Sequence, residues 1–134
     1  MKILLDTHIL LWTITNDFKL SQQARQLIEN PANEIYYSII SVWEVQLKHL
    51  VHPEAMPVDG AIFANYCKAS GFLSLPVREQ HIFSLSKLKR DATAPPHKDP
   101  FDKLLICQAL EENMLFITHD SLLTGYGLPC IIQL

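Results

Sequence analysis

Short apolar runs alternate along the chain with longer segments of mixed pattern, and several of the runs stop at an acid. The first, over 2–5, lacks polar alternation and breaks at Asp6. That is the pattern of a parallel strand covered on both faces. Ile9-Leu10-Leu11-Trp12 then opens a helix. A loop follows over 16–20, Ser21 caps a polar helix over 22–30, and Pro31 stops it. Residues 34–37 read as a second strand, and the helix after it has two candidate caps, Ser38 and Ser41. Asp59 caps a helix over 60–70 that Gly71 ends. Residues 72–76 make a third strand. Residues 78–89 make a helix with Ile82, Phe83, Leu85 and Leu88 as its core stripe and His81 off that stripe. Residues 114–118 form a fourth strand ending at His119-Asp120. A short helix begins at Ser121, Gly125 and Gly127 turn the chain, and 130–132 is the last strand. Strands alternating with helices across short connections predict an α/β fold, with a parallel sheet between two helical layers.

The stretch from His97 to Ile106 holds the chemistry. Pro100 suits the first turn of a helix, Asp99 before it is an N-cap, and Asp102 lies one turn in. From Leu104 onward the helix is mostly apolar and therefore buried. A carboxylate at the mouth of a buried helix is costly unless it is paired or binds a metal. A structural role competes at each acid. Asp99 and Asp102 can serve a helix N-terminus, and Asp6 can cap the first helix. Glu44 can close a capping box with Ser41, or point into a site if Ser38 is the cap.

In a doubly wound sheet the strand exits and the following helix starts share one edge, where ligands sit. Asp6, Glu44, Asp102 and Asp120 all fall at such places, with Asp99 beside them. Clustered carboxylates repel unless a cation neutralises them. An all-oxygen donor set without zinc-spaced His and Cys suits Mg²⁺ or Mn²⁺, and a phosphodiester is its natural substrate. No P-loop, dinucleotide-binding turn or nucleophile elbow is present.

The 134 residues predict one domain spanning 1–134, and the composition is ordinary for a globular chain, with 49% apolar and 19% charged residues. A net charge of -3 argues against gripping nucleic acid through overall charge. Lys87, Lys89 and Arg90 make a small basic cluster expected to face solvent. The scattered cysteines, Cys67, Cys107 and Cys130, predict reduced thiols and a cytoplasmic protein. The first apolar run is too short for a signal segment or a membrane span.

The chain resembles the PIN-domain nucleases, most of all the VapC-like toxins of toxin–antitoxin pairs. The resemblance is carried by the run from Leu5 to Trp12, by Ser41-Val42-Trp43-Glu44, by the stretch from His97 to Ile106, and by Thr118-His119-Asp120. It implies a three-layer α/β/α sandwich with a five-stranded parallel sheet. It also implies Mg²⁺- or Mn²⁺-dependent cleavage of RNA by Asp6, Glu44, Asp102 and Asp120. Asp6, Asp102 and Asp120 would hold the metal, with Glu44 as a ligand or water-orienting base. Thr7 and Thr118 stand where the family often has a hydroxyl holding the acids, and Asp99 is an auxiliary acid. His97, Lys98 and Lys103 are candidate phosphate contacts. Both lysines stand where arginine is common, which keeps charge but loses the bidentate fork. The implied partners are RNA, a second copy of the chain and a small antitoxin that occludes the crevice with a basic side chain. Core packing is the expected use of Trp12 and Trp43. Two rival readings share the fold: a DNA nuclease with the same site, and a catalytically silent interaction module.

Overall fold

Strand β1 (Lys2–Leu5) occupies the middle of the sheet in a computed structural model describing residues 1–134. Strands β2 (Glu34–Ser38) and β4 (Leu115–Thr118) flank it, with β3 (Leu73–Leu75) beyond β2 and β5 (Ile131–Gln133) beyond β4. All pairings are parallel. Leu4 pairs with Tyr36 and Leu5 with Ile117, so the strands leave the sheet on the same edge. The expected five-stranded parallel α/β architecture is therefore observed.

Helices α1 (Thr7–Ile14) and α2 (Gln22–Glu29) connect β1 to β2, and α3 (Ile39–Val51) and α4 (Gly60–Ala69) connect β2 to β3. Helix α5 (Glu79–Phe83), a 3₁₀ turn (Ser84–Lys87) and α6 (Pro100–Glu111) connect β3 to β4, and a second 3₁₀ turn (Ser121–Tyr126) leads to β5. The sheet separates two cores because strand side chains alternate between faces. Ile3 and Leu5 pack with Ile9, Leu10, Ala24 and Phe63 on one side. Leu4 and Phe116 pack with Leu105, Ile106 and Ala109 of α6 on the other. Each such fully buried large apolar side chain contributes about 1.5–3 kcal/mol. No helix is long and apolar enough to cross a membrane.

One element departs from the pattern. The helix expected over 78–89 ends at Phe83 and tightens into the 3₁₀ turn. Its inward side carries His81 and Ser84, both buried, while Ile82, Phe83 and Leu85 are exposed. The buried face differs from the apolar stripe because polar partners, not apolar spacing, orient this short segment. His81 Nδ1 accepts the Arg78 N–H at 3.0 Å, and its Nε2 faces Glu112 Oε1 at 3.3 Å. Of the expected stripe, only Leu88 packs against the α6 core. Trp43 is a second correction: it is 53% exposed and meets Phe101 edge-on at a centroid distance of 4.9 Å.

Candidate active site

The acids gather where β1 and β4 end and where α1 and α6 begin, because each is fixed by a helix terminus. Asp6 leaves β1 and caps α1, with Oδ1 accepting the Thr7 N–H at 2.7 Å. Asp99 caps α6, and its Oδ1 accepts the Phe101 N–H at 2.9 Å. Asp120 caps the 3₁₀ turn after β4, and its Oδ1 accepts the Leu122 N–H at 2.9 Å. Asp102 lies in the first turn of α6. Unpaired N–H groups make a helix start favourable for a carboxylate. Capping and clustering thus coexist: one oxygen serves the backbone and the carboxyl group still faces the cleft.

Glu44 reaches the same place from α3. Ser38 is the cap of that helix, its Oγ accepting the Ile40 N–H at 2.9 Å, so the capping box with Ser41 does not form. Glu44 is consequently free to turn inward, and it is buried. Its Oε1 accepts the Thr7 hydroxyl at 2.7 Å, and its Oε2 lies 2.5 Å from Lys48 Nζ. Thr7 Oγ1 stands 2.9 Å from Ser41 Oγ. The single hydrogen of Thr7 is committed to the carboxylate, so Ser41 supplies the hydrogen in that contact. Thr118 plays the matching part on β4. Its hydroxyl donates to Asp6 Oδ2 at 2.6 Å and accepts the Asp120 N–H at 3.0 Å.

Asp6, Glu44, Asp99, Asp102 and Asp120 line a single cleft of about 320 Å³. Lys48 is its one lysine or arginine, and His8, Trp12 and His119 form an aromatic rim. Trp12 meets His119 edge-on at 5.1 Å. The charges are uncomfortable. Burial first, then the neighbouring carboxylates Asp6, Asp99, Glu44 and Asp120, push Asp102 up to about 8. Burial also raises Asp6, against the pull of the Thr118 hydrogen bond. Burial works against the Lys48 charge, but Glu44, Asp99 and Asp102 outweigh it and hold its pKa above the usual lysine value. Lys48 therefore acts as an internal counter-ion.

The predicted phosphate contacts fare differently. Lys98 is exposed, Lys103 is half-buried, and neither lines the cleft. His97 is buried, with Nδ1 2.6 Å from the Tyr126 hydroxyl and Nε2 3.3 Å from Asp102 Oδ2. Both ring nitrogens thus already face protein partners. Burial lowers its pKa and favours the neutral ring. Four residues of the cleft were missed by reasoning on sequence. Lys48 was detectable as the i+4 partner of Glu44, the spacing at which helical ion pairs form. His8 and His119 adjoin Asp6-Thr7 and Asp120, while Trp12 reads from sequence as core.

The residues fit a divalent cation. The donors are carboxylate oxygens, a hard set of the kind that suits Mg²⁺ or Mn²⁺. One ligand atom from each of His97, Asp102 and Asp120 lies within 4.8 Å of the others. A cation entering the cleft would let the raised Asp102 ionise at lower cost.

Thr118→Val tests how far the hydroxyl holds Asp6. The substitution keeps volume but removes a hydrogen bond to a carboxylate, and a net loss of about 1.5–3 kcal/mol is expected. Chemical denaturation at pH 8 in Mg²⁺ reads it, and an unchanged midpoint would show that Asp6 does not depend on Thr118.

The fold and the cleft define a class: a parallel α/β/α protein with converging carboxylates beyond the carboxyl ends of its strands. The chain belongs to the PIN domain family, whose model matches residues 3–126. Among solved structures it is similar to VapBC2 from Rickettsia felis bound to a DNA fragment from their promoter. That likeness has 18% identity and a TM-score of 0.65 over 99% of this chain and 97% of the other. It is also similar to VapBC-1 from nontypeable Haemophilus influenzae, with 22% identity and a TM-score of 0.54 over 90% and 87%. At these identities the likeness shows the fold. Comparison with curated proteins gives no match.

Proposed function

We propose that the protein is a Mg²⁺- or Mn²⁺-dependent endoribonuclease and the toxin of a toxin–antitoxin pair. The observation that carries the reading is the cleft itself, with five carboxylates converging around the raised Asp102. A protein gains no stability from such a cluster, and perturbed carboxylates in a cleft are a mark of function. Asp6, Asp102 and Asp120 hold the cation in this reading. When bound, the metal activates water and stabilises charge on the phosphodiester oxygens.

The chain's own residues supply the rest. Thr7 and Thr118 fix the carboxylates of Glu44 and Asp6. Glu44 orients the attacking water and takes its proton, with Lys48 as its ion-pair partner. Asp99 adds charge from the cap of α6. The His8, Trp12 and His119 rim offers ring faces to an unpaired base, in keeping with single-stranded RNA. PIN family membership supports RNA as substrate. The likeness to two VapBC structures supports an antitoxin as partner. An arginine entering the acidic cleft would find carboxylate partners. Ile39, Trp43, Leu47 and Leu50 leave an apolar stripe exposed along α3, a surface suited to the antitoxin or to a second copy. Three free cysteines accord with a reducing cytoplasm.

Purified, antitoxin-free protein should cut single-stranded or loop RNA in Mg²⁺ or Mn²⁺ and stop in EDTA. Matched single-stranded DNA should be cut far more slowly. Equal cutting of DNA would move the assignment to a DNA nuclease. No cutting together with no Mn²⁺ binding would make the protein a silent interaction module. Induction in cells should slow growth, and the neighbouring small gene should relieve it.

A further inference from the structure

The geometry points to His97, held by Tyr126, as the positioning residue that aims Asp102 at the cation. This inference rests on the metal-dependent reading above. Asp102 is the exception among the cleft acids. Asp6 and Glu44 are anchored at both oxygens, and Asp99 and Asp120 are anchored as caps. The carboxylate of Asp102 has a single hydrogen-bond partner, Nε2 of His97 at 3.3 Å.

The support behind that partner is built in depth. The Tyr126 hydroxyl lies 2.6 Å from His97 Nδ1, and the two rings stand edge to face, 88° apart. The Arg90 guanidinium lies over the Tyr126 ring at 4.7 Å. Arg90 is itself tied to backbone carbonyls, through Nε to Pro95 at 3.0 Å and through Nη1 to Leu122 at 2.6 Å. Gly125 leaves room for it, because a Cβ there would fall 2.7 Å from Arg90 Cζ. The chain Arg90, Tyr126, His97, Asp102 thus ties the loop before α6 and the first turn of α6, which carries Asp102, to the 3₁₀ turn after β4, which Asp120 caps.

The hydrogen bonds have a definite sense. With a cation in the cleft Asp102 is ionised and only accepts, so Nε2 must donate and Nδ1 must accept from the Tyr126 hydroxyl. Direct ligation by Nε2 would demand the reverse, with the proton on Nδ1 and the Asp102 contact broken. The two roles therefore differ in tautomer.

The test compares wild type with Tyr126→Phe, His97→Gln and His97→Ala. Tyr126→Phe keeps the ring under Arg90 and removes only the hydroxyl. By calorimetry, His97→Ala should bind Mn²⁺ about 10–100-fold more weakly, the usual loss for an outer partner of a metal ligand. Tyr126→Phe should fall between Ala and wild type, and His97→Gln should recover part of the loss through its amide N–H. Saturating Mn²⁺ should restore the cleavage rate of each variant. Nitrogen NMR of Mg²⁺-loaded wild type should show the His97 proton on Nε2. A proton on Nδ1 would overturn the positioning role in favour of a direct ligand. Wild-type Mn²⁺ affinity in both Tyr126→Phe and His97→Gln would overturn it while leaving the metal reading standing. Wild-type protein that neither binds Mn²⁺ nor cuts RNA would remove both. If His97→Ala does not fold, Tyr126→Phe carries the comparison.

Discussion

Asp6→Asn is expected to leave the protein folded and to lower metal-dependent RNA cleavage by about a thousandfold or more. The fold survives because asparagine caps a helix as well as aspartate does. Its oxygen can still accept the Thr7 N–H that Asp6 Oδ1 accepts at 2.7 Å. Its amide can meet Thr118 Oγ1, which can turn from donor to acceptor. What disappears is one negative charge at one of the two buried carboxyls of the cleft, the other being Glu44. A neutral amide is a poor partner for Mg²⁺, and a metal contributes several kcal/mol to a developing phosphoryl charge. Losing about 4 kcal/mol of that stabilisation is a thousandfold in rate. The same change should stabilise the metal-free protein, because burial raises the Asp6 pKa and its charge is costly. The paired measurement is an RNA cleavage rate in Mg²⁺ and a melting temperature in EDTA at pH 8. Wild-type cleavage by Asp6→Asn would remove Asp6 from the site. A lower melting temperature would show that the carboxylate serves mainly as a structural anchor.

The sheet and the convergence of acids are legible in the sequence for one reason. Apolar runs that end in Asp6 and Asp120 mark strand exits, and a parallel fold brings strand exits to one edge. The cap and site readings looked like alternatives at Asp6 and Asp99, yet each carboxyl group, like that of Asp120, caps through one oxygen while lining the cleft. Other features depend on contacts far apart in the chain. Tyr126 meets His97 across 29 residues, and no local spacing announces it. His81 turns inward because Glu112, 31 residues away, lies where its Nε2 can reach it. Its apolar neighbours Ile82 and Phe83 are left in solvent, which reverses the stripe that periodicity predicts. Periodicity reports which positions repeat on a face. It does not report which face finds buried polar partners.

Those buried carboxylates make a second large effect measurable without any substrate. Metal-free protein should lose stability as pH rises from 6.5 to 8, and Mg²⁺ should reverse the loss. Asp102 is pushed up to about 8, first by burial and then by Asp6, Asp99, Glu44 and Asp120, against an ordinary value of 3.8. Between those values the folded state holds a proton that the unfolded state has released. Stability then falls as pH rises, because the folded state binds more protons. Asp6 is raised by burial and adds in the same direction. The window avoids groups that run otherwise. His97 is lowered by burial from 6.5, so its effect is a loss of stability as pH falls below 6.5. Cys67 and Cys107 are raised by burial to about 12 and about 11, so they act above pH 9. A bound cation keeps the carboxylates ionised at little cost and stabilises only the folded state. Each kcal/mol moves the melting temperature of a domain this size by about 2–8 °C. Melting curves in EDTA should therefore shift down by several degrees across the window, and Mg²⁺ should raise them more at pH 8 than at pH 6.5. Asp102→Asn should flatten the EDTA profile and shrink the Mg²⁺ shift. A profile in EDTA that stays level for the wild type would mean that the cleft carboxylates are ionised without strain, and the case for a cation in the cleft would lose its electrostatic ground.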